Sequence, residues 1–144
     1  MTKNILVGYD GSDLSKEALQ EAKKLVSLIP ELQVYVVSVV TTGGPSTNIT
    51  IARTLTMELA ENMEPEMLEI KRDFGDDGIY IHTKVLADYQ QRNPGKLICE
   101  FADDIDIDLI IIGSRGMGKM KQFLLGSVSN YVVHHAECKV LIVK

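Results

Sequence analysis

Only two cysteines occur in the 144 residues, Cys99 and Cys138. They stand far apart and form no CxxC, which excludes a disulfide framework and a thiolate zinc site. Two reduced, partly buried thiols are expected. A long apolar run is also missing: nothing approaches about 18 continuous apolar residues, so no membrane span is expected. The opening stretch MTKNILVGYD lacks the apolar length and the small-residue cleavage site of a secretory signal, and the expectation is a cytoplasmic protein. Positive charge is in deficit too. A formal net charge of -5 argues against nucleic acid as the main partner, because a duplex binder needs a basic face to displace counterions. Nothing repeats, no tract is of low complexity and no linker divides the chain, so residues 1–144 are read as one domain.

Several catalytic signatures are absent as well. There is no GxSxG elbow for a serine hydrolase and no GxGxxG in the first strand-to-helix turn for a dinucleotide. Asp104, Asp106 and Asp108 imitate the start of an EF-hand loop, but Leu109 stands where the turn glycine belongs and Arg115 where the bidentate glutamate belongs, which excludes calcium there. His134 and His135 fall near the end of a helical stretch, where they suit its negative pole better than a metal.

What is present is a chain of ordinary globular composition, 45% hydrophobic and 24% charged, large enough to bury roughly 70% of the surface its unfolded form exposes. Five short β-branched runs read as strands: Asn4 to Gly8, Gln33 to Val40, Ile79 to Leu86, Leu109 to Ile112 and Lys139 to Val143. Between them, apolar residues recur at helical spacing. Ala18, Ala22, Leu25, Val26 and Ile29 mark the first helix, and Leu55, Leu59, Met63, Met67 and Ile70 the second. Leu97, Ile98, Phe101 and Ile105 mark the third, and Val128 to Ala136 fits a fourth. Strict alternation of strand and helix with near-continuous apolar strands predicts a doubly wound α/β fold, a parallel sheet covered on both faces. The stretch TTGGPSTN at 41–48 predicts a mobile loop, and Pro65 a kink in the second helix. Met57, Met63 and Met67 are expected to pack into the core.

The chemistry gathers at two strand ends. The first strand runs into GYDGSD, which puts Asp10 at its carboxyl end, where an open α/β sheet binds ligands, and Ser12 or Asp13 where a helix cap belongs. The fourth strand runs into GSRGMGKM, one residue short of a P-loop. The mismatch matters: Met120 has no hydroxyl for magnesium, and a P-loop follows a domain's first strand, not its fourth. A different spacing fits throughout, with Gly113, two residues, Gly116, nine residues, then Gly126 and Ser127. Gly113 and Gly116 would let backbone amides approach a ligand, and Gly126 with Ser127 would open a helix whose free N–H groups attract phosphate. Arg115, Lys119 and Lys121 add positive charge around it.

With NILVGYDGS at the start and KVLIVK at the end, this pattern resembles the nucleotide-binding branch of the universal stress protein family along the whole chain. The resemblance implies an adenine nucleotide alpha hydrolase-like sheet of five parallel strands in the order 3-2-1-4-5, and ATP or AMP as ligand. It places Asp10 near ribose and phosphates, Val39 at the adenine, Ile112 and Gly113 beside the ribose, and Arg115, Gly116, Gly126, Ser127 and Val128 around the phosphates. It also implies a homodimer through the last strand, 139–143. The role it implies is a stress-response or regulatory module. Two alternatives stand beside it: a slow ATPase in which Asp10 helps to hold Mg²⁺ against the phosphates, and a nucleotide-free dimerisation module. The segment ADYQQRNPGKL at 87–97 departs from the family's short turn and borders the expected adenine end.

Overall fold

The structure is a computed structural model that describes residues 3–41, 49–90, 92–115 and 125–144. Nine elements alternate along the described residues. They are β1 (Asn4–Gly8), α1 (Asp13–Leu28), β2 (Gln33–Thr41), α2 (Ile49–Asp76), β3 (Ile81–Asp88), α3 (Pro94–Asp104), β4 (Leu109–Gly113), α4 (Ser127–His135) and β5 (Lys139–Val143). The strand pairs are parallel, as the alternation of strand and helix predicts, and the sheet order is β3-β2-β1-β4-β5, as the family resemblance implies.

The sheet is apolar on both faces because each face meets a helical layer. Ile5 and Val7 of β1, with Val34 and Val36 of β2, pack against Ala18, Ala22 and Val26 of α1 and Met67, Ile70 and Phe74 of α2. Leu6, Val37, Ile110 and Ile112 face the other way, onto Ile98, Cys99 and Ala102 of α3 and Val132 of α4. Both cysteines are free, and burial pushes the Cys99 thiol up to about 11. The roots of β1 and β4 are tied together by Asp108, whose carboxylate accepts from the backbone N–H groups of Lys3 and Asn4 at 2.8 and 2.9 Å.

Some expectations are corrected. The third strand starts at Ile81, not Ile79, because the Ile79 N–H is used to close the end of α2 on the Phe74 carbonyl, at 2.9 Å. Pro65, where a kink is expected, lies inside the continuous helix α2. It is exposed, so the carbonyl its missing N–H would have served can be met by water. The apolar stripe of α2 is buried only in its second half: Met67 is 1% exposed, whereas Leu55, Met57 and Leu59 are 46%, 52% and 42% exposed. A helix of 28 residues runs about 42 Å at 1.5 Å per residue. The 8-residue β3 beneath it spans only about 26 Å. The helix is longer than the strand it packs on, and Leu55, Met57 and Leu59 lie in its first half. Of the loop expected at 41–48, Thr41 belongs to β2, which runs one residue past Val40, and 42–48 lie outside the described residues.

Candidate functional site

β1 and β4 are neighbours, but α1 and α4 leave their carboxyl ends for opposite faces of the sheet. The divergence opens a cleft of about 410 Å³ where such sheets bind ligands. Its walls are apolar: Val37 and Val39 from β2, Ile98 from α3 and Ile112 from β4. Its rim is polar, with Asp10, Arg115 and Ser127, and the backbone of Gly113 and Gly126 completes it. Of the site residues expected from the sequence, Asp10, Val39, Ile112, Gly113, Arg115, Gly126, Ser127 and Val128 all line this one cleft. Gly116 lies outside the described residues, as do Lys119, Met120 and Lys121.

At the end of β1 the side chains satisfy one another. Asp10 is exposed, and its Oδ1 accepts from the Ser12 N–H at 2.9 Å, forming an Asx turn. Ser12 caps α1 by accepting from the Ser15 N–H at 3.2 Å, and the Ser15 hydroxyl donates back to the Ser12 carbonyl at 2.8 Å. Just before the turn, Tyr9 is buried and its hydroxyl donates to Glu66 of α2. Burial first, then this bond and the negative charge of Glu66, raise the Tyr9 pKa well above the ordinary phenol value.

The end of β4 is organised around backbone instead. The Ser114 N–H donates to the Val143 carbonyl and the Gly126 N–H to the Ser114 carbonyl, both at 2.7 Å. The Ser129 hydroxyl donates to the same Ser114 carbonyl at 2.8 Å, drawing the first turn of α4 onto the end of β4. The N-cap of α4 is Gly126, and no side chain caps the helix. Its start lies at the cleft, and among the described residues no side chain accepts from its first-turn N–H groups at the N-cap. Gly126 has φ −65° and ψ 165°, angles open to any residue.

Gly113 has a cause the sequence did not reveal. A Cβ there would stand 2.8 Å from the Leu14 Cβ and 3.2 Å from the Arg115 carbonyl oxygen, so its smallness is needed to seat α1 against β4. Gly95 was missed altogether: a Cβ there would meet the Val128 carbonyl oxygen and the Tyr131 Cβ, each at 2.9 Å. That contact fixes where α4 begins. Asn93 was also missed. It caps α3 by accepting from the Gly95 N–H at 2.8 Å and donates through Nδ2 to the Ser127 carbonyl at 3.4 Å. The sequence signal was the Asn-Pro pair, an N-cap followed by proline at the first helical position. Val37 and Ile98 could have been found by period, Val37 standing two residues before Val39 on one face of a strand.

His134 and His135 donate through Nδ1 to the carbonyls of Asn130 and Tyr131, at 2.8 and 3.0 Å, and so occupy the negative pole of α4. Among the described residues no group of three His, Cys, Asp or Glu side chains could hold a metal ion. None of their helices is long and apolar enough to cross a membrane.

Fold and cleft together define a doubly wound α/β protein with an open cleft at its switch point. The chain belongs to the universal stress protein family, whose model matches residues 1–144. A universal stress protein of Synechocystis, Sll1388, is 32% identical over 97% of this chain and 96% of its own. The Bacillus subtilis universal stress protein YxiE is 30% identical over the full length of both. Among solved structures, UspA from Lactobacillus plantarum superposes with a TM-score of 0.84 at 23% identity, covering 99% of this chain and 97% of that one. A universal stress protein from Archaeoglobus fulgidus solved with dAMP matches at a TM-score of 0.63 and 22% identity, covering 100% and 98%. A further universal stress protein solved with cAMP matches at 0.66 and 22%, covering 99% and 96%.

Proposed function

We infer that this chain binds an adenine nucleotide, ATP or AMP, in the cleft between β1 and β4, and acts as a nucleotide-dependent regulatory module of the stress response. The observation that carries the reading is the start of α4. It is held against the end of β4 by Ser114 and Ser129, carries no side-chain cap, and lies beside Arg115 on a cleft whose opposite wall is apolar. That is a phosphate subsite next to a base-sized hydrophobic slot. Asp10 would face the ribose and phosphates and would help to hold a nucleotide-bound Mg²⁺, its Oδ1 remaining on the Ser12 N–H. The dAMP and cAMP complexes of the two structural neighbours support the ligand class.

The edge strand β5, paired only with β4 and carrying the 38% exposed Leu141, is where a second copy would add. Thermal unfolding tests the ligand. ATP or AMP with Mg²⁺ raises the melting temperature according to RT ln(1 + [L]/Kd), and no rise at millimolar nucleotide overturns the reading. Product analysis after incubation with ATP separates a binder from an ATPase. Turnover above roughly 0.1 s⁻¹ would favour the enzyme, and none at that level is expected.

A further inference from the structure

Of the two edges of the sheet, β5 is short and β3 is long, with 5 and 8 residues. Alternate residues of a parallel strand turn both backbone groups to the same side, so about half of β3 holds its N–H and C=O groups away from β2. Among the described residues no other hydrogen bond meets them. An edge of that length is a template for a further strand.

Helix α2 runs beside this edge in the opposite direction. Lys71 lies over the Tyr80 ring, 5.5 Å from its centre, just before β3 begins, and Arg53 lies over the Tyr89 ring, at 5.8 Å, just after it ends. These two contacts identify the face of α2 that borders β3. Helical spacing leads from Arg53 through Met57, Glu64 and Leu68 to Lys71 on one stripe. Met57 and Leu68 are apolar yet 52% and 51% exposed. At the Lys71 end the stripe opens into a hollow of about 310 Å³ between the end of α2 and the start of β3. Gly75 and Gly78 keep it open, since a Cβ on either would meet nothing within 4 Å.

The charges at the two ends are unspent. Among the described residues neither Arg53 nor Lys71 has an acidic partner, whereas Lys23, Lys24, Arg72 and Arg92 each have one. From Arg53 to Lys71 the helix rises about 27 Å at 1.5 Å per residue. An extended chain of about eight residues spans the same length at roughly 3.3 Å each.

We propose that the trough between β3 and this face of α2 binds an extended acidic segment of a partner protein, which joins the sheet as a sixth strand. Its backbone takes the free edge of β3, apolar side chains in its middle cover Met57 and Leu68, and a carboxylate near each end meets Arg53 and Lys71. A second copy of β3 suits the edge less well. Lys84 is exposed near the middle of the strand, and antiparallel pairing of two copies would bring the two Lys84 side chains close together.

The probe is a fluorescent, end-capped decapeptide with glutamate near both ends and valine and threonine alternating between, titrated by anisotropy beside the same peptide with lysine for glutamate. An exposed ion pair corresponds to roughly 1.5–5-fold in affinity, so turning two pairs into two repulsions should separate the peptides by about tenfold in favour of the acidic one. Arg53→Glu combined with Lys71→Glu should reverse that order, with melting curves as the check on folding. A second arm needs the wild-type protein alone. A strand on an edge uses alternate backbone nitrogens, so N-methylating one alternate set in the acidic peptide should abolish binding and N-methylating the other should not. Equal binding of acidic and basic peptides overturns the proposal, as does a folded double variant that leaves their order unchanged. Equal tolerance of the two methylated sets, or no binding of the acidic peptide at millimolar concentration, overturns it too. Self-association of wild type that the double variant abolishes would give the trough to a second copy and sink the acidic partner.

Discussion

Two strand-to-helix passages flank the cleft, and they solve the same local problem in opposite ways. From β1 into α1 the chain is stapled by its own side chains: Asp10 holds the turn, Ser12 caps the helix and Ser15 bonds back to Ser12. From β4 into α4 the staples are placed one turn deeper, at Ser114 and Ser129, and the cap position is left to a glycine. A helix start whose donors are met internally contributes stability and has little left to offer a ligand. A helix start left without a side-chain acceptor gives up some stability and gains an anion site. On the proposed function the phosphates would rest on the second helix start, and the first passage would reach the ligand through Asp10 rather than through its helix N–H groups.

The sharpest way to break that contrast is to make the second passage resemble the first. Gly126→Asp supplies α4 with a carboxylate cap of the kind its backbone angles accept, and should leave the protein as stable as before or more stable by a few tenths of a kcal/mol. The same carboxylate would occupy the phosphate subsite. Like charges forced together cost several kcal/mol, so ATP affinity should fall on the order of 100-fold or more. Melting curves and titration read the two effects separately. A variant that is stabilised yet still binds ATP normally would mean the phosphates lie elsewhere.

Damaging the first passage should have the converse result. Ser12→Ala removes the cap of α1 and should cost about 1 kcal/mol of stability, a fall of roughly 2–4 °C in melting temperature for a chain of this size. Nucleotide affinity should change far less than in Gly126→Asp. If instead affinity collapses while stability holds, the start of α1 serves the ligand beyond what Asp10 does, and the contrast between the two helix starts fails.

How much of this was legible beforehand follows from the range of each signal. The strand runs and the helical spacing are local, so the sheet and its four helices could be read directly. The Gly126-Ser127 pair, the Asp10 turn and the Ser12 cap are equally local. What could not be read depends on residues distant in sequence. Gly113 looks like a ligand glycine until Leu14 of α1 is placed against it. Leu55 and Leu59 have the spacing of a core stripe, and only the fold reveals that they stay exposed. Asp88 sits in a run that reads as a solvated loop, and its burial becomes visible when β2 brings Thr41 alongside.

The smallest effect belongs at the root the two passages share. Asp108 accepts from the N–H groups of Lys3 and Asn4, and these backbone bonds hold its carboxyl below the usual carboxylate range. The folded-state pKa is thus lower than the unfolded one, and the unfolded chain takes up the proton first as pH falls. The stabilisation is complete above the unfolded value, roughly pH 4, and is lost as pH drops through the folded value. Its size is limited because the carboxylate is only half-buried and partly screened by water. Urea midpoints of wild type and Asp108→Asn should differ slightly at neutral pH and converge once the pH has fallen below the folded-state value. Because β1 and β4 are moored together there, far from the cleft, the ATP affinity of the variant should match that of wild type. A loss of affinity without a loss of stability would show that the two strand ends are adjustable from below, and that the contrast between the two helix starts is too simple.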